Sequence, residues 1–199
     1  MNTDSTSDRF AVIEAGFSGD CETAERGLQH ADAAVRASSL RALHRLSVLK
    51  EEQVVLGLTD SSSDVRRAAV EVSVGMQHIE IHSLLSDEDV FVAEMTAWCL
   101  GERAEPTDTE IDALIDATLH HNEAVVREAS AAALGSLGDE RGLPAILAAC
   151  SDKPAVRRRS VLALAPFEGD AVDEALRAAL EDRDWQVRQN AEILLNPRD

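Results

Sequence analysis

Six histidines and three cysteines are the side chains of this 199-residue chain with the widest chemical range. His78 and His82 stand four apart, a spacing that puts two imidazoles on one helix face, where they could ligate a metal. Glu80 lies between them but points elsewhere, and no third ligand follows at a suitable spacing. His120 and His121, followed by Asn122 and Glu123, read as an exposed polar turn, and His30 holds the place equivalent to His121. Cys21, Cys99 and Cys150 show no metal-ligand spacing and read as small core residues in a reducing compartment. No glycine-rich phosphate loop, nucleophile elbow or Cys-His constellation occurs. The expectation is a chain that is not an enzyme, with no catalytic residue, no metal and no cofactor.

Arginine is the functional type that recurs with a rhythm. Arg36, Arg66, Arg127, Arg157 and Arg188 each follow a valine, and Ala93 takes the place of the sixth. A cation in the first turn of a helix opposes the helix dipole, so its recurrence calls for compensating acids. Asp32, Asp60, Asp182 and Asp184 in the preceding turns can supply them. The structural reading makes these arginines paired and partly buried; the alternative makes them ligands for an anion.

The elements that must carry them follow from the same rhythm. Val35, Val65, Val92, Val126, Val156 and Val187 recur at intervals of 30, 27, 34, 30 and 31 residues, the mark of a repeat architecture. Four residues after each valine stands Ser39, Ala69, Thr96, Ser130, Ser160 or Ala191. Eight after it comes Leu43, Ser73, Leu100, Leu134, Leu164 or Leu195. Those offsets share one helical face, a buried stripe whose small residues let a neighbouring helix approach. Seven before the valine stands Leu28, Leu58, Leu85, Leu119, Ala149 or Leu180, which belongs to a first helix. Three before it stands Asp32, Ser62, Asp89, Glu123, Lys153 or Asp184, at the expected start of the second helix, with Pro154 at the first helical position of its repeat.

Each unit reads as helix A, a tight turn and helix B, with B helices near 33–46, 63–76, 90–103, 124–137, 154–167 and 185–196. The fifth residue after the valine is Leu40, Val70, Ala97, Ala131, Val161 and then Glu192. It should face the next repeat and turns polar only where no next repeat exists, as a terminal cap requires. Phe10, Ile13 and Phe17 predict an extra amphipathic helix covering the first repeat. Residues 1–8 are expected to form a disordered tail, and 9–199 a single repeat domain.

The segments Asp64-Val65-Arg66-Arg67-Ala68-Ala69 and Ala131-Ala132-Ala133-Leu134-Gly135-Ser136-Leu137-Gly138-Asp139 resemble HEAT-like repeats of the phycobilisome lyase type, over roughly residues 20–196. The resemblance implies an all-α fold: a right-handed α-α superhelix of about six helix pairs, here with the extra N-terminal helix. It also implies an Asp–Arg ladder, formed by the five arginines above, joining successive repeats. HEAT-like di-iron hydroxylases use His-Glu dipeptides, and none occurs here.

Offsets of two, six and nine from the valine point away from the core stripe, toward what would be the concave face of a solenoid. Arg41, Arg67, Glu71, Glu94, Trp98, Glu128, Arg158 and Leu162 are the candidate partner-binding residues on it, with Trp98 as its one large aromatic. Repeat three also carries Phe91, Met95 and Trp98, which read as a repacked core or, alternatively, as a partner-binding patch. Asp and Glu outnumber Lys and Arg by 37 to 19, giving a net charge of −18 that repels phosphate backbones. The expected partner is therefore a protein or peptide with basic patches, rather than nucleic acid or membrane, for a soluble cytoplasmic scaffold. A bilin lyase-like protein, by resemblance, and a DNA-binding HEAT-like repair protein are the alternatives.

Overall fold

A computed structural model describes residues 3–196. Among these residues all regular structure is helical. The helices are α1 (Thr3–Ser18), α2 (Cys21–Gly27), α3 (Ala33–Arg45), α4 (Glu51–Leu58), α5 (Ser63–Val72), α6 (Val90–Gly101), α7 (Asp108–His120), α8 (Ala124–Leu137), α9 (Leu143–Ala149), α10 (Pro154–Ala163), α11 (Asp170–Ala179) and α12 (Trp185–Leu195). Short 3-10 turns occupy His82–Ser86 and Glu140–Gly142. None of the described helices is long and apolar enough to cross a membrane.

The chain forms two compact units, one ending at Ile81 and the other beginning at His82, where one repeat domain over 9–199 was expected. The first holds α1 and the pairs α2/α3 and α4/α5. The second holds the 3-10 turn with α6 and the pairs α7/α8, α9/α10 and α11/α12. In each unit the second helices pack on one another in sequence order, and each first helix packs on its own second helix.

The local code works residue by residue. The six residues expected at helix starts are the N-caps of α3, α5, α6, α8, α10 and α12. Asp32, Asp89 and Asp184 each accept the backbone N–H two residues on, at 2.8–2.9 Å, which satisfies a donor the helix cannot pair itself. All six valines are buried, as are the six small residues four positions later. At the fifth position Leu40, Val70, Ala97, Ala131 and Val161 are buried, while Glu192 is exposed. Of the leucines seven residues ahead, Leu119 and Leu180 stay partly exposed. The small residues four after the valine admit the first helix closely: a Cβ on Gly57 would lie 2.8 Å from the Ala69 Cβ. The second helices also touch one another through small residues. A Cβ on Gly101 would lie 2.8 Å from the Ala133 Cα, and one on Gly135 would lie 2.7 Å from the Ala163 Cα.

Four expectations need correction. Residues 3–8 are not a loose tail: α1 starts at Thr3, and Ser5 hydrogen-bonds Asp32 while Arg9 Nε reaches Ser38 Oγ. Met1 and Asn2 lie outside the described residues, as do 197–199. The packed face of α1 is Val12, Ala15 and Gly16, not Phe10 and Phe17. α1 approaches α3 so closely that a Cβ on Gly16 would sit 3.0 Å from the Ala42 Cα, which leaves no room for a ring between them. Repeat three has a single 3-10 turn in place of helix A, because its 27-residue interval is the shortest. His78 and His82 therefore share no helix face, and His78 instead contacts Glu51 at 2.7 Å. Finally, of the three cysteines only Cys99 is fully buried.

Candidate interaction face

Three of the five expected ladder arginines clasp a carboxylate of the following repeat. Arg36 Nε and Nη2 donate to the two Asp60 oxygens at 2.9 and 2.7 Å. Arg127 grips Asp152 at 2.6 and 2.8 Å, and Arg157 grips Asp182 at 2.8 Å through both nitrogens. The preceding turn supplies carbonyls instead: Arg36 Nη1 donates to the carbonyls of His30 and Ala31, and Arg127 Nη1 to those of His121 and Asn122. Arg66 and Arg188 make the same contact to the carbonyls of Asp60 and Asp182. Each guanidinium thus closes its own turn, and three of them demonstrably clasp the next. The guanidinium bonds hold Asp60, Asp152 and Asp182 below the usual carboxylate range.

The same aspartates shape the turns. Asp60 and Asp182 accept the N–H two residues on, of Ser62 and Asp184. In the first and fourth repeats an imidazole does this work: His30 Nδ1 accepts from Asp32 N–H at 3.0 Å, and His121 Nδ1 from Glu123 N–H at 3.1 Å. These are the two turns that no ladder arginine precedes, since α1 has Asp8 at that contact and α6 has Ala93. A ring nitrogen there takes the place of a carboxylate that would face no arginine. His30 Nε2 then faces Asp8 at 3.2 Å, an inverted rung. The two histidines are structural, which sequence spacing alone does not reveal.

On the exposed side of the second helices, the predicted residues fall into two groups. In the first unit Arg41 on α3 bonds Glu71 on α5 at 2.7–2.8 Å, and Arg67 meets Asp64 at 3.4 Å. In the second unit Glu94 and Trp98 lie on α6, Glu128 on α8, and Arg158 and Leu162 on α10. These helices pack in that order, so the residues form one row. Arg158 bonds Asp184 at 2.6 and 3.0 Å, and Arg159 stands 3.9 Å from Glu128. Glu94 has no ion pair among the described residues. At the ninth position after the valine Gly101 and Gly135 leave this face, being contact points between second helices, while His44 and Ala165 are exposed.

Of the two readings of Phe91, Met95 and Trp98, the repacked core does not hold for the two rings. Phe91 is 56% exposed and Trp98 49%, as are Phe10 (67%), Phe17 (73%) and Trp185 (61%); among the described aromatics only Phe167 is buried. Arg45 stacks on Phe17 with its guanidinium carbon 4.2 Å from the ring centre. Phe91 cannot turn inward because Val92 and Ala93 already fill the contact there. Ile193 on α12, six after Val187, is also exposed and extends the row beyond Leu162. No group of histidine, cysteine, aspartate and glutamate among the described residues is arranged to hold a metal ion.

Among curated proteins, none matches the chain in sequence. In structure it is similar to the Escherichia coli protein YibA, with a TM-score of 0.64 and 18% identity, over 92% of this chain and 74% of that one. An engineered protein gives a TM-score of 0.57 and 18% identity, over 94% of this chain and 60% of the other. Human deoxyhypusine hydroxylase gives 0.49 and 20%, over 94% and 76%. The first two likenesses show the α-α solenoid fold. The sequence profile of HEAT repeats matches residues 52–135 and 111–196, without singling out the lyase type. Its matches together cover residues 52–196, well over half of the chain, and take in five of the six second helices whole, and on that ground the chain belongs to the HEAT repeat family.

Proposed function

We propose that this protein is a non-catalytic interaction scaffold that binds a protein or peptide segment through the exposed face of its second helices. Trp98 is the anchor, with Glu94, Glu128 and Leu162 around it. The observation that carries the reading is the exposure of the aromatics. A fold with only six aromatic side chains keeps five of them in water, including an indole in the middle of a row of second helices. Exposed Trp in a partly acidic surround is the residue type on which interface energy concentrates.

The surround selects the partner's chemistry. Arg41, Arg67 and Arg158 are neutralised by acids of their own face, so they offer little to an anion. What remains is carboxylate and apolar area in a chain of net charge −18, which favours a segment carrying Lys or Arg beside an apolar residue. The same pairing weighs against a phosphate backbone as ligand.

Selection from a random peptide library, followed by calorimetry with wild type and Trp98→Ala, tests the reading. Enriched peptides should be basic and apolar. Trp98→Ala should weaken them by about 2 kcal/mol, some thirtyfold. Peptides that bind equally well without the indole would refute the assignment.

A further inference from the structure

The position six after the repeat valine changes character between the two units. In the first it is charged: Arg41 on α3 and Glu71 on α5 hold each other at 2.7 Å. In the second it is apolar in every repeat, with Trp98 on α6, Ala132 on α8, Leu162 on α10 and Ile193 on α12. Trp98, Leu162 and Ile193 are exposed, and Ala132 between the first two is half-buried. The four helices pack in that order, so one apolar side chain per helix stands at the same height, in a row that crosses the helices. One turn earlier stand Glu94 on α6 and Glu128 on α8, while the equivalent Arg158 on α10 is neutralised by Asp184 at 2.6 Å and α12 has Gln189. Glu128 has Arg159 at 3.9 Å, and Glu94 has no ion pair among the described residues. The row thus has its acidic end at Trp98.

Spacing decides what can follow such a row. Packed helices stand about 8–10 Å apart, and the bare-backbone contacts at Gly101 and Gly135 put these toward the short end, at about 8–9 Å per step. A strand returns to one face every ~6.6 Å, and an α-helix in register with such a row does so every seventh residue, at ~10.5 Å. A polyproline II segment has three residues per turn and rises about 3.1 Å per residue, so it presents the same face every ~9.3 Å. Of the three it drifts least over the steps from Trp98 to Ile193. Proline-rich segments of this kind also dock on aromatic side chains, and their preformed backbone loses little entropy on binding. We propose, resting on the scaffold reading above, that the segment this row takes is a polyproline II stretch with an apolar residue at every third position. A Lys or Arg stands beside the residue seated at Trp98, opposite Glu94. Ala132 leaves a notch between Trp98 and Leu162, which the second apolar residue fills.

The probe is the blocked decapeptide Leu-Lys-Pro-Leu-Pro-Pro-Leu-Pro-Pro-Leu, titrated into the full-length protein and followed by two-dimensional NMR. Its control, Leu-Lys-Leu-Pro-Leu-Pro-Leu-Pro-Pro-Pro, has the same composition with leucine at every second position. The first peptide should bind saturably and at least about tenfold more tightly than the control, with shifts on all four helices of the row. Leu162→Ala and Ile193→Ala, both at exposed sites, should each weaken it several-fold, as should Glu94→Gln. Equal binding of the two peptides, indifference to Leu162→Ala and Ile193→Ala, or a larger loss from Phe91→Ala than from Ile193→Ala, which would lay the ligand along α6, overturns the proposal. So does tighter binding of a helical peptide with leucine at every seventh position. In each of those cases a loss on Trp98→Ala leaves the scaffold reading standing. Absence of saturable binding by the first peptide also overturns the proposal, and binding that ignores Trp98→Ala overturns both readings.

Discussion

Gly135→Ala sets two effects of similar size against each other. In a solvent-facing helix, replacing Gly by Ala stabilises by about 1 kcal/mol through backbone entropy. Here the new Cβ would stand 2.6 Å from Ala163 Cβ, 2.7 Å from its Cα and 2.8 Å from its carbonyl oxygen. Carbon contacts are optimal at roughly 3.5–4.0 Å, so α8 and α10 must part by about an ångström. Two of the three clashes involve backbone, and no rotamer change relieves them. Overpacking of this kind costs about 1–3 kcal/mol, and two unrelievable backbone clashes put it in the upper part of that range, so the net effect is a loss of about 1–2 kcal/mol. Urea unfolding followed by far-UV circular dichroism measures it. Gly75→Ala is the reference, because a Cβ there meets nothing within 4 Å and should cost nothing. Adding Ala163→Gly to the first variant should restore only part of the loss, since the Cα and carbonyl contacts remain. A Gly135→Ala protein as stable as wild type would refute the claim that second helices touch through bare backbone.

Asp60, Asp152 and Asp182 have folded-state pKa values lowered by Arg36, Arg127 and Arg157. Their stabilisation is therefore full above the unfolded carboxylate range, about pH 4, and is lost as pH falls through the lower folded values. Asp182→Asn should reduce stability at neutral pH by roughly 1–3 kcal/mol and flatten the acid limb of a urea-midpoint profile; an unchanged limb would mean that the rung contributes nothing. Glu192→Leu replaces the polar end residue beside exposed Ile193 with the type buried in the other repeats, and should shift the protein to higher mass in sedimentation. Burial pushes the Cys150 thiol up to about 11, so its alkylation at pH 8 should be at least about tenfold slower in the folded protein than in urea.

The second helices were almost fully legible because three independent signals coincide on each: a valine, a small residue four later and a capping residue three before. Glu192, the one polar residue at the fifth position, is exposed, whereas its five apolar counterparts are buried. Phe10 and Phe17 misled because periodicity shows which residues share a face, not which face is buried. That choice was made by Gly16, whose missing Cβ fixes how near α1 comes to α3. The shortened repeat three had a visible sign in its 27-residue interval, but interval length does not say which helix loses its turns. The missing ladder arginine of repeat three was visible as Ala93.

The placement of the aromatic rings has a practical consequence. Both indoles, Trp98 and Trp185, are already wetted in the native fold, and the chain contains no Tyr. Their emission should begin close to that of solvent-exposed tryptophan and move little when the helices come apart. A fluorescence melt would then report a weak or absent transition in a molecule that is in fact unfolding cooperatively. Conversely, the native signal is left free to respond to whatever settles on the surface around those two residues.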